Sequence, residues 1–346
     1  MSGRVGDDGN RADHGHVGDD EKSANHGHVV ALSGGVGGAK LVHGLSLALP
    51  PASLTAIVNT GDDFVHLGLP VSPDLDSVLY ALAGLSDAVR GWGRREETWT
   101  FMGALKGLGG PSWFNLGDGD LAMHVLRGHY LATGDSLTQA TARIAQSLGV
   151  GTTLLPMSDQ PVRTRVRTDE GWLDFQEYFV GRQCAPAVRE IGFEGAAHAA
   201  AQPLTLAALA RRDLRAVVIC PSNPYLSVDP LLSLPDLRGA LQAARSAGVP
   251  VIAVSPLVGG KAIKGPAAKL MAELGLEVAN DTIARHYAGL ASVFVSDATD
   301  PPPGLPPGMH GVRAQTVMRN DADRRALAEA VLSAAAAAAR TAGTSC

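Results

Sequence analysis

The stretch Ser33-Gly-Gly-Val-Gly-Gly-Ala-Lys40 sets four glycines and a lysine directly after the apolar run Val29 to Leu32. A buried strand, a glycine-rich turn and a helix start together hold phosphate. Glycines let backbone N–H groups approach the anion, and the helix N-terminus adds the positive end of its dipole. Gly34, Gly35 and Gly37 would cradle such an anion, with Lys40 near it. The spacing matches neither standard fingerprint. A G-x-G-x-x-G pattern from Gly35 and Gly37 requires glycine where Lys40 stands. A P-loop requires Gly before the lysine and Ser or Thr after it, where this chain has Ala39 and Leu41. We read a non-standard phosphate or nucleotide site, against the plainer reading of a tight strand-to-helix connection.

The next reactive stretch is Asn59-Thr-Gly-Asp-Asp63, then His66, then Ser72-Pro-Asp-Leu-Asp76. Its acids fall in loops expected at the carboxyl ends of parallel strands, where open α/β sheets bind ligands. Oxygen ligands of this kind suit Mg²⁺ bridging to a substrate phosphate, which makes Asp62, Asp63 and Asp74 the candidate metal ligands. Ser72 and Asp74 are also candidate N-caps for a helix beginning near Leu75. Capping would account for one aspartate and not for the set. An NAD site usually carries an acid at the end of the second strand for the ribose hydroxyls. Asn59 holds that place, which counts against an NAD(P)-dependent oxidoreductase.

These residues need a scaffold. Leu54 to Val58 reads as the second strand of a right-handed βαβ unit. Apolar spacing at Val78, Leu79, Leu82 and Leu85, at Leu121, Val125 and Leu126, and from Leu137 to Leu148 predicts helices without intervening strands. Residues 86–149 therefore read as a helical insert in a Rossmann-like body of residues 28–85 and 150–340. Trp113-Phe-Asn-Leu-Gly-Asp-Gly-Asp120 introduces its central helix, with Asp118 and Asp120 as caps or ligands. Trp92, Trp99 and Trp113 are either core or an aromatic wall for a flat ring. Val162 to Thr168 and Trp172 to Phe179 read as a β-hairpin about Asp169-Glu-Gly171. Arg163, Arg165 and Arg167 share one face of its first strand, as an exposed basic face or an anion contact. Strands at Ala216 to Cys220, Val249 to Val254 and Val293 to Ser296 alternate with helices at Pro235 to Ala247 and Ala267 to Leu274. A terminal Ala-rich helix includes Ala334 to Ala339. The fold class is α/β, with a doubly wound, mainly parallel Rossmann-like sheet, a helical insert and a β-hairpin.

Composition narrows the function classes. Of 346 residues, 45% are hydrophobic and 18% charged, as in a globular protein with a substantial core. The 29 basic and 34 acidic residues give a net charge of −5, with no basic stripe for nucleic acid. No apolar run is long enough for a membrane span. Cys184, Cys220 and Cys346 form no paired motif, which favours a reduced, cytoplasmic setting over disulfides or structural zinc. Residues 1–27 are polar, rich in Gly and Asp, and repeat His-Gly-His-Val at His14 and His26; they read as a disordered leader.

The loops resemble the transferases of coenzyme F420 biosynthesis: archaeal 2-phospho-L-lactate transferase and its bacterial phosphoenolpyruvate-transferring relatives. The resemblance rests on Ser33 to Lys40, Val58-Asn-Thr-Gly-Asp-Asp63 and Ser72-Pro-Asp-Leu-Asp-Ser-Val-Leu-Tyr80. It continues through Trp92-Gly93, Glu97-Thr-Trp99, Leu116-Gly-Asp118, Leu155-Pro-Met-Ser-Asp159 and Phe175-Gln-Glu177. Pro221-Ser-Asn-Pro224, Ser255-Pro256 and Lys264-Gly-Pro-Ala267 complete it. It implies that a guanylylated three-carbon phosphate donor reacts with the deazaflavin Fo in the presence of Mg²⁺. The products would be F420-0 or dehydro-F420-0 and GMP. It further implies a homodimer and a guanylyltransferase partner that supplies the donor. Asp76 and Asn115 take the places of Fo contacts, and Gly119 stands where the family commonly has arginine in L-G-D-R-D. On this reading Asp76, with Asp63, is a catalytic carboxylate that orients or deprotonates the Fo hydroxyl. Ser222 and Asn223 would hydrogen-bond the nucleotide or Fo. A non-catalytic nucleotide-sensing relative shares the glycine turn and is the competing reading.

Overall fold

The computed structural model describes residues 27–262 and 265–343; most of the leader, Lys264 and Cys346 lie outside the described residues. The chain opens with β1 (His28–Ser33), α1 (Gly35–Ala48), β2 (Leu54–Val58), the small hairpin β3 (Phe64–His66) and β4 (Leu69–Val71), and α2 (Pro73–Leu82). The insert contributes α3 (Thr100–Gly107), α4 (Asp118–Ala132) and α5 (Leu137–Ser147). Then come β5 (Thr153–Pro156), β6 (Arg163–Thr168), β7 (Gly171–Asp174), β8 (Val188–Glu194) and α6 (Pro203–Leu209). The second half runs β9 (Leu214–Ile219), α7 (Asp229–Leu232), α8 (Pro235–Ser246), β10 (Val251–Val254), β11 (Leu257–Val258) and β12 (Lys261–Ala262). It closes with α9 (Ala267–Glu273), α10 (Asn280–His286), β13 (Val293–Asp297), β14 (His310–Ala314) and α11 (Asp321–Gly343).

Seven parallel strands form the central sheet in the order β14-β13-β10-β9-β1-β2-β5. Every residue of β1, β2, β10 and β13 is buried, as expected for strands covered on both faces. One core packs α1, α2, α4, α5 and α11 through Leu41, Leu45, Val78, Met123, Ile144 and Val331; the other packs α6 to α10 and the sheet β7-β6-β8 through Val166, Leu237, Leu270 and Ile283. The doubly wound arrangement holds. The order also fixes a switch point: the chain winds outward from β1 through β2 to β5, then restarts at β9 on the other side of β1. Crevices of this kind bind ligands.

Several elements depart from the sequence reading. The hairpin's second strand stops at Asp174, and the backbone turns helical from Glu177 to Gly181. Phe175 and Tyr178 are buried three residues apart, a helical rather than an alternating spacing. The edge strands β5 and β14, the third strand β8, the hairpin β3–β4 and helices α3, α6 and α10 carry no clear signal in the sequence, being short and weakly periodic. Ile144 and Ala145 of α5 share a core with Leu154 of β5.

Candidate functional site

The glycine turn lies at the switch point. Helix α1 begins at Gly35, so most of the glycines form its first turn rather than a loop before it. Only Gly35 needs a left-handed backbone, with φ +63. The other glycines permit close approach to the loop after β9. A Cβ at Gly37 would lie 2.4 Å from the Pro221 carbonyl oxygen, and one at Gly38 would lie 2.5 Å from both Ser222 Oγ and Ser33 Oγ. Gly34 N–H donates to Ser222 Oγ at 3.1 Å. Asn223 Oδ1 accepts from Tyr225 and Leu226 N–H, whereas its Nδ2 is buried without a partner, as are Ser33 Oγ and Thr60 Oγ1. Buried polar atoms without partners require an explanation, and a ligand is one that would supply it. Lys40 does not join them through the contact resolved here, since its Nζ donates to the Met318 carbonyl at 3.1 Å.

The acids at the end of β2 form two sets. Asn59 Nδ2 donates to Asp62 Oδ1 at 3.1 Å and to Asp74 Oδ2 at 2.9 Å. Burial, then the charge of Asp74, raises Asp62 well above the usual carboxylate range. Burial raises Asp74 to about 6, against the pull of Asn59 and the Gly35 N–H. Asp63 faces elsewhere: its Oδ2 accepts from Ser72 Oγ at 2.9 Å, and its Oδ1 is buried without a partner. Burial raises Asp63 to about 7, although Arg163, Ser72 and Arg127 oppose the shift. The three expected metal ligands therefore do not converge in this conformation. Ser72 stands at the N-cap position of α2 but makes no capping bond, and Asp74 lies inside the helix facing α1. Neither caps α2, because each carboxylate or hydroxyl is engaged across the site.

Asp76 belongs to a buried polar ladder between α2 and α4. Both Nη groups of Arg127 donate to the two Asp76 oxygens, and Arg127 is fully buried. Arg127 Nη1 also donates to His124 Nδ1 at 3.2 Å. A guanidinium never accepts, so His124 can take this bond only through an Nδ1 lone pair, which leaves Nε2 as its other ring nitrogen. That nitrogen lies 3.4 Å from Asp120 Oδ1, which also accepts from the Tyr80 hydroxyl. The Asp76 charge holds Arg127 above its ordinary value against the effect of burial. Among the described residues, Asp76, Asp120 and His124 bring ligand atoms within 4.8 Å of one another. His124 Nε2 is buried and makes no hydrogen bond to Asp120. Sequence reasoning missed His124 and Arg127. Their signal is the spacing from Asp120 of four and seven residues, which places all three on one face of α4.

The insert's loops are held by exchanged caps. Glu97 Oε2 accepts from Gly119 N–H at 2.7 Å and its Oε1 from Asp120 N–H at 2.9 Å, at the start of α4. Asp118 accepts from Thr100 N–H at 3.1 Å and Phe101 N–H at 3.0 Å, at the start of α3. Asp118 thus caps α3, not the helix it begins. A Cβ at Gly119 would lie 2.2 Å from Arg94 Nη1, so a guanidinium already occupies the space beside this glycine. The tryptophans form two groups rather than one wall: Trp92 and Trp99 flank Arg90, and Trp113 joins Phe64, His66 and Phe114. Asn115 is exposed on the same loop. Arg165 and Arg167 pair with Glu194 and Glu190 at the surface, while Arg163 is the one that bears on Asp63.

Comparison with known proteins follows this geometry. The family described as 2-phospho-L-lactate transferase CofD matches residues 29–331. The 2-phospho-L-lactate transferase of Methanosarcina mazei is 37% identical over 309 residues, covering 88% of this chain and 100% of its own. The phosphoenolpyruvate transferase of Kitasatospora aureofaciens is 42% identical over 265 residues, 75% of this chain and 81% of its own. A crystal structure of a UPF0052 family member from Bacillus halodurans superposes with a TM-score of 0.59 at 18% identity, covering 88% of this chain and 99% of that one, a likeness of fold.

Proposed function

The chain belongs to the 2-phospho-L-lactate transferase CofD family, and from this we propose that it transfers a phosphorylated three-carbon acid to the deazaflavin Fo in coenzyme F420 biosynthesis. It is a transferase. The donor is the guanylylated form of 2-phospholactate or phosphoenolpyruvate, and the products are F420-0 or dehydro-F420-0 and GMP. The observation that carries the reading is the pairing, at the sheet's switch point, of a glycine-built helix N-terminus with buried carboxylates beside it.

Phosphoryl transfer asks the protein mainly for positioning and charge control. The first turn of α1 with Ser222 and the unpartnered Asn223 Nδ2 would receive the donor's phosphates. The terminal hydroxyl of Fo forms the new bond to phosphorus, the bond to GMP breaks, and the hydroxyl proton passes to a base. We assign that base to Asp63, whose Oδ1 is unpartnered and whose carboxyl is raised to about 7. Asp76, the other carboxylate expected there, has both oxygens on Arg127. The site suits Mg²⁺ on its donor set: Asp62 and Asp74 are buried carboxylates sharing a single amide donor. These two would hold the ion, which would neutralise charge on the donor's phosphates.

The test supplies the protein with Fo, Mg²⁺, GTP and a guanylyltransferase, offering 2-phospholactate or phosphoenolpyruvate separately and resolving products by mass. One acid-bearing product of Fo with release of GMP is expected. Fo recovered unchanged with both acids, with the guanylylated donor present, refutes the proposal.

A further inference from the structure

We infer that Asp120, rather than Asp76, is the carboxylate through which the α2–α4 ladder meets the acceptor, and that it accepts hydrogen bonds from the acceptor's hydroxyl or N–H groups. This rests on the transferase reading above and names a further specificity residue for it.

Three observations lead there. The first is access. The side chains of Arg127, His124 and Asp76 are 0%, 1% and 6% exposed, whereas that of Asp120 is 17% exposed. Asp120 is the charged member of the ladder that opens outward.

The second is orientation. Tyr80 donates to Asp120 Oδ1, His124 Nε2 lies 3.4 Å from the same oxygen, and Glu97 holds the Asp120 backbone N–H at 2.9 Å. The residue is fixed at both ends, and Oδ2 carries none of these contacts. A carboxylate has about four acceptor positions, and the ladder uses only those of one oxygen. His66 stands in the adjoining aromatic group with Nε2 buried and unpartnered, a second polar atom left for a ligand.

The third is charge. Asp120 ends in a carboxylate oxygen, Oδ2, that can only accept hydrogen bonds when ionised. A partly buried carboxylate oxygen is costly unless a donor satisfies it. An anionic phosphate donor is repelled by it, and a neutral acceptor with hydroxyl groups is not. The ligand class is therefore the acceptor, with Tyr80 as a positioning residue acting through Asp120.

Titration of the full-length protein with Fo alone, followed by the fluorescence of Fo, tests this beside steady-state kinetics. Asp120→Asn keeps the shape and backbone hydrogen bond while removing the charge. It is expected to weaken Fo binding by about tenfold, and Tyr80→Phe by about threefold, the range for losing a charged or neutral hydrogen bond. The effect should fall on KM for Fo, with KM for the phosphate donor and the thermal midpoint little changed. If wild type binds Fo and Asp120→Asn binds it equally well, the inference fails while the transferase reading stands. If wild type neither binds nor converts Fo, both fail. A weakened Tyr80→Phe with an unweakened Asp120→Asn also overturns it, since Tyr80 would then act by another route.

Discussion

Arg127 on α4 of the insert and Asp76 on α2 of the body form a two-point ion pair, with Nη1 lying 3.2 Å from Asp76 Oδ2 and both side chains buried. Removing one member leaves a lone buried charge, whereas replacing both with apolar groups does not. Arg127→Met should therefore cost about 3–5 kcal/mol. The double replacement Asp76→Leu with Arg127→Met should recover much of that loss. Urea unfolding of the two single variants and the double variant measures the coupling. Additive single effects would show that the pair is not a unit.

Glu97 and Asp118 exchange helix caps, each satisfying N–H groups of the helix the other leads into. Glu97→Ala should destabilise by about 1 kcal/mol, as losing an N-cap does. Amide exchange should locate the damage at the start of α4 for Glu97→Ala and at the start of α3 for Asp118→Ala. Protection lost instead within each residue's own segment would contradict the exchange.

The contrast between α1 and α4 explains which parts of the site were legible. The strand-turn-helix at Ser33 to Lys40 is local, so sequence order alone brings its glycines together. Even there, Lys40 points to Met318, a partner far along the chain that spacing cannot reveal. On α4 the apolar period at Leu121, Val125 and Leu126 correctly marks a helix but marks the wrong face. Val125 is 52% exposed, while His124 and Arg127 are buried. Apolar spacing assumes that the inward face is the greasy one. That assumption fails where the inward face is satisfied by a polar partner from elsewhere, here Asp76 on another helix. A different cause separates Asp63 from Asp62 and Asp74: adjacent residues in a turn point in different directions, Asp62 to Asn59 and Asp63 to Ser72.

Glycines 37 and 239 predict opposite outcomes for the same change. Gly37→Ala would bring a methyl group to 2.4 Å from the Pro221 carbonyl oxygen and push the two loops at the switch point apart. KM for the phosphate donor should rise at least about tenfold, as expected when ligand-binding groups are misplaced, while Fo binding by fluorescence persists. Gly239 lies within α8 with nothing in reach of a new Cβ. Gly239→Ala should stabilise by about 0.5–1 kcal/mol on helix propensity. Equal effects from the two would sink the close-approach argument.

Asp63 predicts a pH dependence of both stability and rate. In the unfolded chain its carboxyl ionises near the usual value of about 3.9, and in the fold burial raises it to about 7. Between those values the folded state binds more protons than the unfolded state, so stability falls as pH rises and levels off, for this group, above about 7. Asp74, raised to about 6, acts in the same direction over a narrower window. Asp63→Asn should match wild type near pH 4 and exceed it at pH 8, read as urea midpoints of the metal-free protein. Catalysis requires the opposite state. Asp63 as base must be ionised, so kcat should rise with pH through the region near 7, and Asp63→Asn should lose both that limb and most of the rate. Parallel stability profiles for the two proteins, or an unchanged kcat limb in the variant, would remove Asp63 from the role of base and return the assignment to the other carboxylates of the site.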